Sequence, residues 1–179
     1  TYAEESKKDE VLNLENPWYY LDTNEDPANG DESKAIDWTM SGFDVTNWKQ
    51  AKGKFGAKRG ELGDLGNNAV PNVLLNQYID GTKVIPTYFF KTEIMIENID
   101  TVFALKGKLK ADDGIIVYIN GHKVAEDNMN TEGKGVVTKP NMYYAGNSNG
   151  NPVDKEFQID GNELANILVD VLLSFFLPN

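Results

Sequence analysis

Residues 112–124 constrain the fold more than any other part of this chain. The segment opens with Asp-Asp-Gly, continues with an unbroken apolar run over residues 115–119, and closes with Asn120-Gly121. Asn-Gly is a strong hairpin signal, because both central residues of a type I′ turn need positive φ. An apolar run without a polar face is typical of a strand that is covered on both sides. The segment therefore predicts strand, turn, strand, with the first strand inside a sandwich.

Alternating patterns predict further strands. In residues 88–96, Tyr88 and Phe90 fall on one side and Phe89 and Lys91 on the other, which predicts one buried and one solvated face. Residues 103–109 alternate in the same way, with lysines pointing outward. We also expect shorter strands at 18–21, 36–43, 73–79 and 157–159, and a long loop at 49–66. Many short strands with turn-rich connections predict an all-β sandwich.

The length of 179 residues indicates one domain with a sizeable core. Residues 1–16 are expected to be a charged lead-in, helical from Glu5 to Leu14, and residues 17–179 a single β-sandwich domain. Its C-terminal segment is atypical from about residue 165. The apolar stretch 167–177 is too short to span a bilayer, which takes roughly 20 residues. We expect it either to complete the sheet, with a strand at 167–171, or to expose an apolar edge.

Charge and composition exclude several classes of function. The formal net charge is -11, and residues 1–37 hold eleven acidic residues against three lysines. Nucleic acids and anionic membranes need basic faces, so neither is expected as a partner, and no membrane insertion is expected. The chain has no cysteine, which excludes disulfides, thiolate metal sites and cysteine nucleophiles.

An ordered set of short motifs runs through residues 17–164. The motifs are Trp18-Tyr19-Tyr20, Phe43-Asp44 with Trp48, Gly53-Lys54-Phe55-Gly56, Tyr88-Phe89-Phe90-Lys91, Asp112-Asp113-Gly114, Tyr118-Ile119-Asn120-Gly121 and Asn128-Met129. In order and spacing they resemble the jelly-roll, galactose-binding-like modules attached to bacterial calcineurin-like metallophosphoesterases and other secreted enzymes. The chain departs from that family at its end, where a Gly-x-Asn turn and a last strand are replaced by residues 164–177.

The resemblance implies a jelly-roll β-sandwich and an extracellular or cell-surface location. It also implies a non-catalytic accessory module, attached to a catalytic domain, that binds a glycan or cell-envelope polymer or positions an attached hydrolase. Two alternatives stay open. One is a structural or protein-interaction domain without a ligand of its own, and the other is a glycosidase or phosphoesterase in its own right.

The residue types offer little for catalysis. The single histidine, His122, follows the predicted hairpin turn, where an exposed turn residue is the simpler interpretation. Asp112 and Asp113 are adjacent, so in an extended chain they point apart and make a poor acid–base pair. We therefore expect no catalytic residue. Five residues are interpreted as structural turn residues, namely Asp112, Asp113, Gly114, Asn120 and Gly121.

The acidic stretch 22–26 suggests calcium. Its oxygen ligands alternate as at the start of an EF-hand loop, but Pro27 stands where that loop needs glycine and Ser33 where it needs glutamate. The EF-hand interpretation therefore fails. A looser structural calcium site that uses Asp22, Asp26 or Asp31 is the remaining hypothesis, and a solvated acidic loop is the alternative.

Aromatic side chains are candidates for stacking on sugar rings. Tyr143 and Tyr144 lie in a loop rich in glycine and asparagine, and Trp38 is the third candidate. The alternative is that these rings pack on the sandwich itself. The basic cluster at 49–59 either holds an anion or is a solvated loop.

Overall fold

The fold was derived from a computed structural model that describes residues 7–130, 139–148, 150–167 and 172–178. Within these ranges the chain is almost entirely strand and loop. The elements are β1 (Pro17–Leu21), β2 (Lys49–Lys52), β3 (Phe55–Gly56), β4 (Val73–Leu74), β5 (Tyr78–Ile79), β6 (Lys83–Val84), β7 (Thr87–Glu93), β8 (Ala104–Ala111), β9 (Ile115–Ile119), β10 (His122–Asp127), β11 (Val153–Asp160), α1 (Gly161–Ile167) and β12 (Leu172–Pro178).

Two sheets dominate the described part of the chain. The large sheet has six antiparallel strands in the order β10-β9-β12-β7-β1-β2, and the small sheet pairs β11 with β8. The β8–β11 ladder is continuous from the pair Val153–Ala111 to the pair Asp160–Ala104. Two further pairs, β3 with β4 and β5 with β6, are only two residues long. The molecule is an all-β sandwich, as predicted.

One face of the large sheet packs against the small sheet. Buried residues of the large sheet and of the small sheet belong to the same core cluster. They include Trp18, Tyr20, Tyr88, Phe90, Ile115, Val117 and Ile119 from the large sheet and Ala111 and Ile159 from the small one. The lysines at 106, 108 and 110 alternate outward along β8, which confirms the predicted period of two.

The opposite face of the large sheet is covered by irregular chain. Trp38 and Met142 pack there on Phe89, and these side chains are at most 2% exposed. The prediction that β7 has one solvated face is therefore wrong, since both faces of this strand are covered. The cover comes from segments about 50 residues away in sequence on either side, so the local pattern could not reveal it.

Lys91 of β7 shows how that cover is held. Its side chain is 2% exposed, and its Nζ donates hydrogen bonds to the carbonyl oxygens of Trp38 (3.1 Å) and Met40 (2.6 Å). Burial lowers the pKa of Lys91 to about 8, while the nearby Glu93 carboxylate opposes the shift. The amine thus ties an irregular segment to the middle of the sheet.

The predicted hairpin is confirmed. Asn120 and Gly121 have φ of 47° and 81°, and β9 pairs with β10 from Ile119 and His122 onward. The Asn120 side chain donates to the carbonyl of Ile167 at 2.8 Å. Asn-Gly therefore fixes the register of β9, which is buried over most of its length as predicted.

The Asp112-Asp113-Gly114 turn carries the chain from β8 in the small sheet to β9 in the large sheet. The Asn128 side-chain amide donates to the carbonyl of Asp113 at 3.1 Å and to that of Asn147 at 2.7 Å. This segment is the crossing between the two layers.

The C-terminal stretch completes the large sheet. Strand β12 lies between β7 and β9, with Phe175 opposite both Phe90 and Val117. Of the strand expected at 167–171, Ile167 instead ends α1, and residues 168–171 lie outside the described ranges. Residues 172–178 are therefore a central strand and not an open edge.

Four local predictions are wrong. Residues 36–43 form a 3₁₀ turn at Asp37–Thr39, closed where the Thr39 hydroxyl donates to the carbonyl of Ile36. Residues 49–66 contain β2 and β3, and 73–79 is split into β4 and β5. Residues 7–16 are not helical. Among the helices of the described residues, none is long and apolar enough to cross a membrane.

Candidate functional site

A cleft of about 720 Å³ lies on the side of the large sheet that faces the small one. Its lining comes from β1, β3, β7, β8, β9 and β11 and from residues 65–77. The small sheet has two strands and the large one six, so the small sheet cannot cover the whole face. Ligand pockets typically measure about 300–1,000 Å³. We call this feature the cleft.

The floor of the cleft is aromatic. It is formed by Trp18, Phe55, Tyr88 and Phe90. The rings of Phe55 and Phe90 meet edge to face with centroids 5.0 Å apart, and the Tyr88 hydroxyl donates to the carbonyl of Asn76 at 3.1 Å. Phe55 is the half-buried member of the set, so its ring is the one a ligand can reach most easily. These contacts hold the floor in a fixed shape.

One wall is an irregular segment, residues 53–77, that is pinned by side chains. The Asn72 side chain accepts a hydrogen bond from the backbone N–H of Lys54 at 2.7 Å. The Gln77 side chain accepts one from Gly60 at 2.7 Å, and Asp22 accepts one from the N–H of Asn76 at 2.8 Å. Loop backbone held in this way keeps the wall in place without long strands.

The opposite rim carries charges that are mostly paired. Lys108 and Glu156 lie 3.1 Å apart, and Lys110 and Asp154 lie 2.9 Å apart, each pair bridging β8 and β11. Both pairs reach solvent, so each contributes at most about 1 kcal/mol to stability. Their effect on the cleft is to neutralise its rim.

Asp112 lines the cleft at the crossing between the layers. Within the described ranges no lysine, arginine or histidine forms an ion pair with it. Burial raises the pKa of Asp112 to about 6, and the adjacent Asp113 carboxyl adds to the shift. The cleft therefore holds one acidic group that no cation neutralises.

The predicted stacking residues do not form this site. Trp38 is 2% exposed, with its ring 5.3 Å from that of Phe89 and 5.9 Å from that of Tyr118, which leaves no face for a sugar. The prediction that Trp38 binds a ligand is therefore wrong, because Trp38 is a core residue. The Tyr143 hydroxyl donates to Pro140 at 2.9 Å, and its ring packs on the same cluster. Tyr144 is 39% exposed but does not line the cleft.

The aspartates proposed for calcium bind protein groups instead. Asp22 is fully buried, with Oδ1 at 2.8 Å from Lys49 Nζ. Asp26 accepts backbone hydrogen bonds from Ala28 and Gly30 and one from the Asn141 side chain, at 2.9–3.0 Å. Asp22 therefore anchors β2 and the cleft wall, through Lys49 and the N–H of Asn76, and Asp26 anchors the irregular cover.

Asp31 caps the 3₁₀ turn Glu32–Lys34. Hydrogen bonds from the Ser33 hydroxyl and backbone lower the pKa of Asp31. In the described ranges no three acidic or imidazole side chains gather closely enough to hold a metal, so Asp22, Asp26 and Asp31 do not form one ligand set. Whether the chain binds a structural calcium stays a prediction.

Sequence reasoning missed the cleft because its lining is dispersed from Leu14 to Glu156. The motif Gly53-Lys54-Phe55-Gly56 was the available signal, since all four residues line it. Close packing explains part of that motif. A Cβ at Gly56 would meet Leu65 at 3.0 Å and Pro71 at 3.3 Å, so glycine lets these parts of the wall pack closely on one another.

Comparison with known proteins does not assign this chain to a family. No protein-family model and no curated protein matches the chain. Among solved structures it is similar to a beta-glycosidase from Bacteroides vulgatus, with a TM-score of 0.41 and 13% identity. The match covers 95% of this chain and 17% of that one, so the chain spans less than a fifth of the glycosidase. At this TM-score the likeness carries no conclusion about function.

Proposed function

We propose that this chain is a jelly-roll, galactose-binding-like accessory module that binds a glycan or cell-envelope polymer in the cleft. In this proposal it belongs to a secreted or cell-surface bacterial protein and presents the polymer to an attached hydrolase. The observation that carries the proposal is the cleft itself, a preformed cavity of about 720 Å³ with an aromatic floor.

The chemistry of the lining suits a saccharide. Sugar C–H faces pack well on aromatic rings, and the half-buried ring of Phe55 offers such a surface. Asn68, Gln77 and Asp112 place hydrogen-bonding groups around it. An apolar floor with a few polar groups is the usual composition of a small-molecule site.

The charge pattern favours binding over hydrolysis. A glycosidase needs two carboxyl groups on opposite sides of the scissile bond, one to protonate and one to attack or activate water. Of the three acidic residues lining the cleft, Asp154 and Glu156 are paired with lysines across the small sheet. Asp112 is left without an opposed carboxylate among the described lining residues.

A second candidate function is protein interaction. Met95 and Phe103 are 86% and 80% exposed in the connection from β7 to β8. Large apolar side chains so exposed are typical of contact surfaces. This candidate needs no ligand in the cleft.

Affinity electrophoresis against neutral and acidic bacterial and plant polysaccharides tests the proposal. We expect the wild type to be retarded by at least one polymer. Phe55→Ala, which removes the accessible ring of the floor, should weaken that binding about tenfold, or about 1.4 kcal/mol. Tyr144→Ala is the matched control, because it removes an exposed ring outside the cleft, and it should bind as the wild type does.

Phe55 also contacts the core, so a second variant guards against a folding defect. Val70 lines the cleft and is 53% exposed, and Val70→Trp should obstruct the cavity without emptying the core. Unchanged binding by Val70→Trp, or no retardation of the wild type by any polymer, contradicts the proposal.

A further inference from the structure

Asp112 differs from the other acidic residues of the cleft. Asp154 and Glu156 each lie within 3.1 Å of a lysine amine, whereas Asp112 has no cation partner among the described residues. The side chain of Asp112 shares a hydrogen bond with the adjacent Asp113 carboxyl, but a carboxylate has about four acceptor sites, so Asp112 keeps acceptor capacity for a ligand. The following inference rests on the proposed function, since it concerns the same cleft.

The backbone that carries Asp112 is fixed on both sides. Ala111 before it and Ile115 after the turn are 2% and 4% exposed. The carbonyl of Asp113 is held by the Asn128 side chain at 3.1 Å. The carboxyl group is therefore mounted on the crossing between two packed sheets, which limits how far it can move when a ligand arrives.

We propose that Asp112 determines the specificity of the cleft by accepting hydrogen bonds from two neighbouring hydroxyl groups of a neutral sugar. A carboxylate has two acceptor oxygens and, when ionised, no donor. Adjacent hydroxyls on a pyranose ring present two donors that match this geometry. Beside Asp112 an anionic group is disfavoured, because it would meet a carboxylate, and the nearby rim lysines Lys108 and Lys110 are paired with acidic partners.

Binding then depends on the protonation of Asp112. Hydrogen bonds to an ionised acceptor are roughly twice as strong as neutral ones. With a pKa of about 6, the group is ionised above that pH and protonated below it, so affinity rises with pH. Other charged groups line the cleft, and Asp113 lies on the same turn. The charged lining residues are Lys54, Lys108, Lys110, Asp154, Lys155 and Glu156. His122 is not among them.

Calorimetric titration with the neutral polymer that the wild type retains tests this inference at about pH 5 and about pH 7.5, on either side of the pKa. The wild type should bind several-fold more tightly at the higher pH. Asp112→Asn should bind about tenfold more weakly there and lose the pH dependence. Asp100→Asn is the control, because it removes an exposed carboxylate that does not line the cleft, and it should keep the wild-type profile.

Each outcome is decisive. Wild-type affinity and pH profile in Asp112→Asn overturn the role of Asp112 and leave glycan binding intact. Preference for a de-acetylated amino-sugar polymer over every neutral one overturns the hydroxyl assignment, since an ammonium group would then be the partner. A wild type that retains no polymer overturns the proposed function itself. If Asp112→Asn does not unfold cooperatively, the wild type alone still tests the inference. A wild-type affinity that does not change between the two pH values overturns it.

Discussion

The two faces of the large sheet are covered by different means. One face meets the regular β8–β11 pair, whose two strands hydrogen-bond to each other along a continuous ladder. The other meets loops that bring Trp38 and Met142 onto Phe89. The two-stranded cover is too narrow and leaves the cleft, whereas the irregular cover follows the surface beneath it. The comparison teaches that the binding site arises where a regular element does not reach.

The irregular cover has a cost that the regular one avoids. Backbone carbonyls in a buried loop lack ladder partners and need donors from elsewhere. Lys91 supplies them for Trp38 and Met40, and Asp26 supplies acceptors for the N–H groups of Ala28 and Gly30. The packed face therefore depends on a few polar side chains, as the cleft wall does on Asn72, Gln77 and Asp22, whereas the β8–β11 cover is held by its own ladder.

Trp38→Ala gives the largest expected effect, because it opens a cavity in the packed face. Removing a fully buried aromatic ring costs about 3–5 kcal/mol of unfolding free energy. Urea denaturation measures it. Tyr144→Ala is the control, and at 39% exposure it should change stability by less than about 0.5 kcal/mol. Equal losses in the two variants would show that the irregular cover is not packed as described.

Lys91→Met gives the second largest expected loss of unfolding free energy. Methionine keeps the length of the side chain but cannot donate, so it leaves the carbonyls of Trp38 and Met40 without this donor and costs about 2 kcal/mol. Lys106→Met removes an exposed lysine of β8 and should have no measurable effect. If Lys91→Met proves more stable than the wild type, then burying the amine costs more than its two hydrogen bonds return.

The same lysine predicts a pH dependence. The folded pKa of Lys91, about 8, is below the unfolded value of 10.5, so between these two values the unfolded chain binds more protons. The contribution of Lys91 to unfolding free energy therefore rises with pH across that window and is constant below it. Urea titrations of wild type and Lys91→Met at about pH 7 and about pH 9.5 should show a larger difference at the higher pH. A smaller stability difference between wild type and Lys91→Met at the higher pH would contradict this prediction.

Local signals predicted much of the fold. The Asn120-Gly121 turn has the positive φ values that the sequence predicted. The alternating lysines of β8 lie on the outer face of that strand, as expected. The solvated face expected for β7 was wrong because its cover comes from Trp38 and Met142, which are distant in sequence. Local pattern gives strand and turn, but which surface covers a strand depends on long-range pairing.

The site was harder to predict for the same reason. The sequence led to the interpretation of Asp112 as a structural turn residue, but its place in the cleft depends on the chain crossing from one sheet to the other at that point. Tyr143 and Trp38 carry the residue types that bind sugars, but the fold uses both to pack its loops. Residue type alone could not separate a stacking ring from a core ring.

Gly107→Ala gives the smallest expected effect and tests the regular side. Gly107 lies opposite Phe157 in the β8–β11 ladder, and a Cβ there would come within 3.0 Å of the Phe157 ring. The ring must move, which costs about 1 kcal/mol. The variant Gly107→Ala with Phe157→Leu should cost less than the sum of the two single changes, because the smaller side chain removes the clash. Additive losses in urea denaturation would mean that the ring does not lie over Gly107, and the fit of the two-stranded cover would need another explanation.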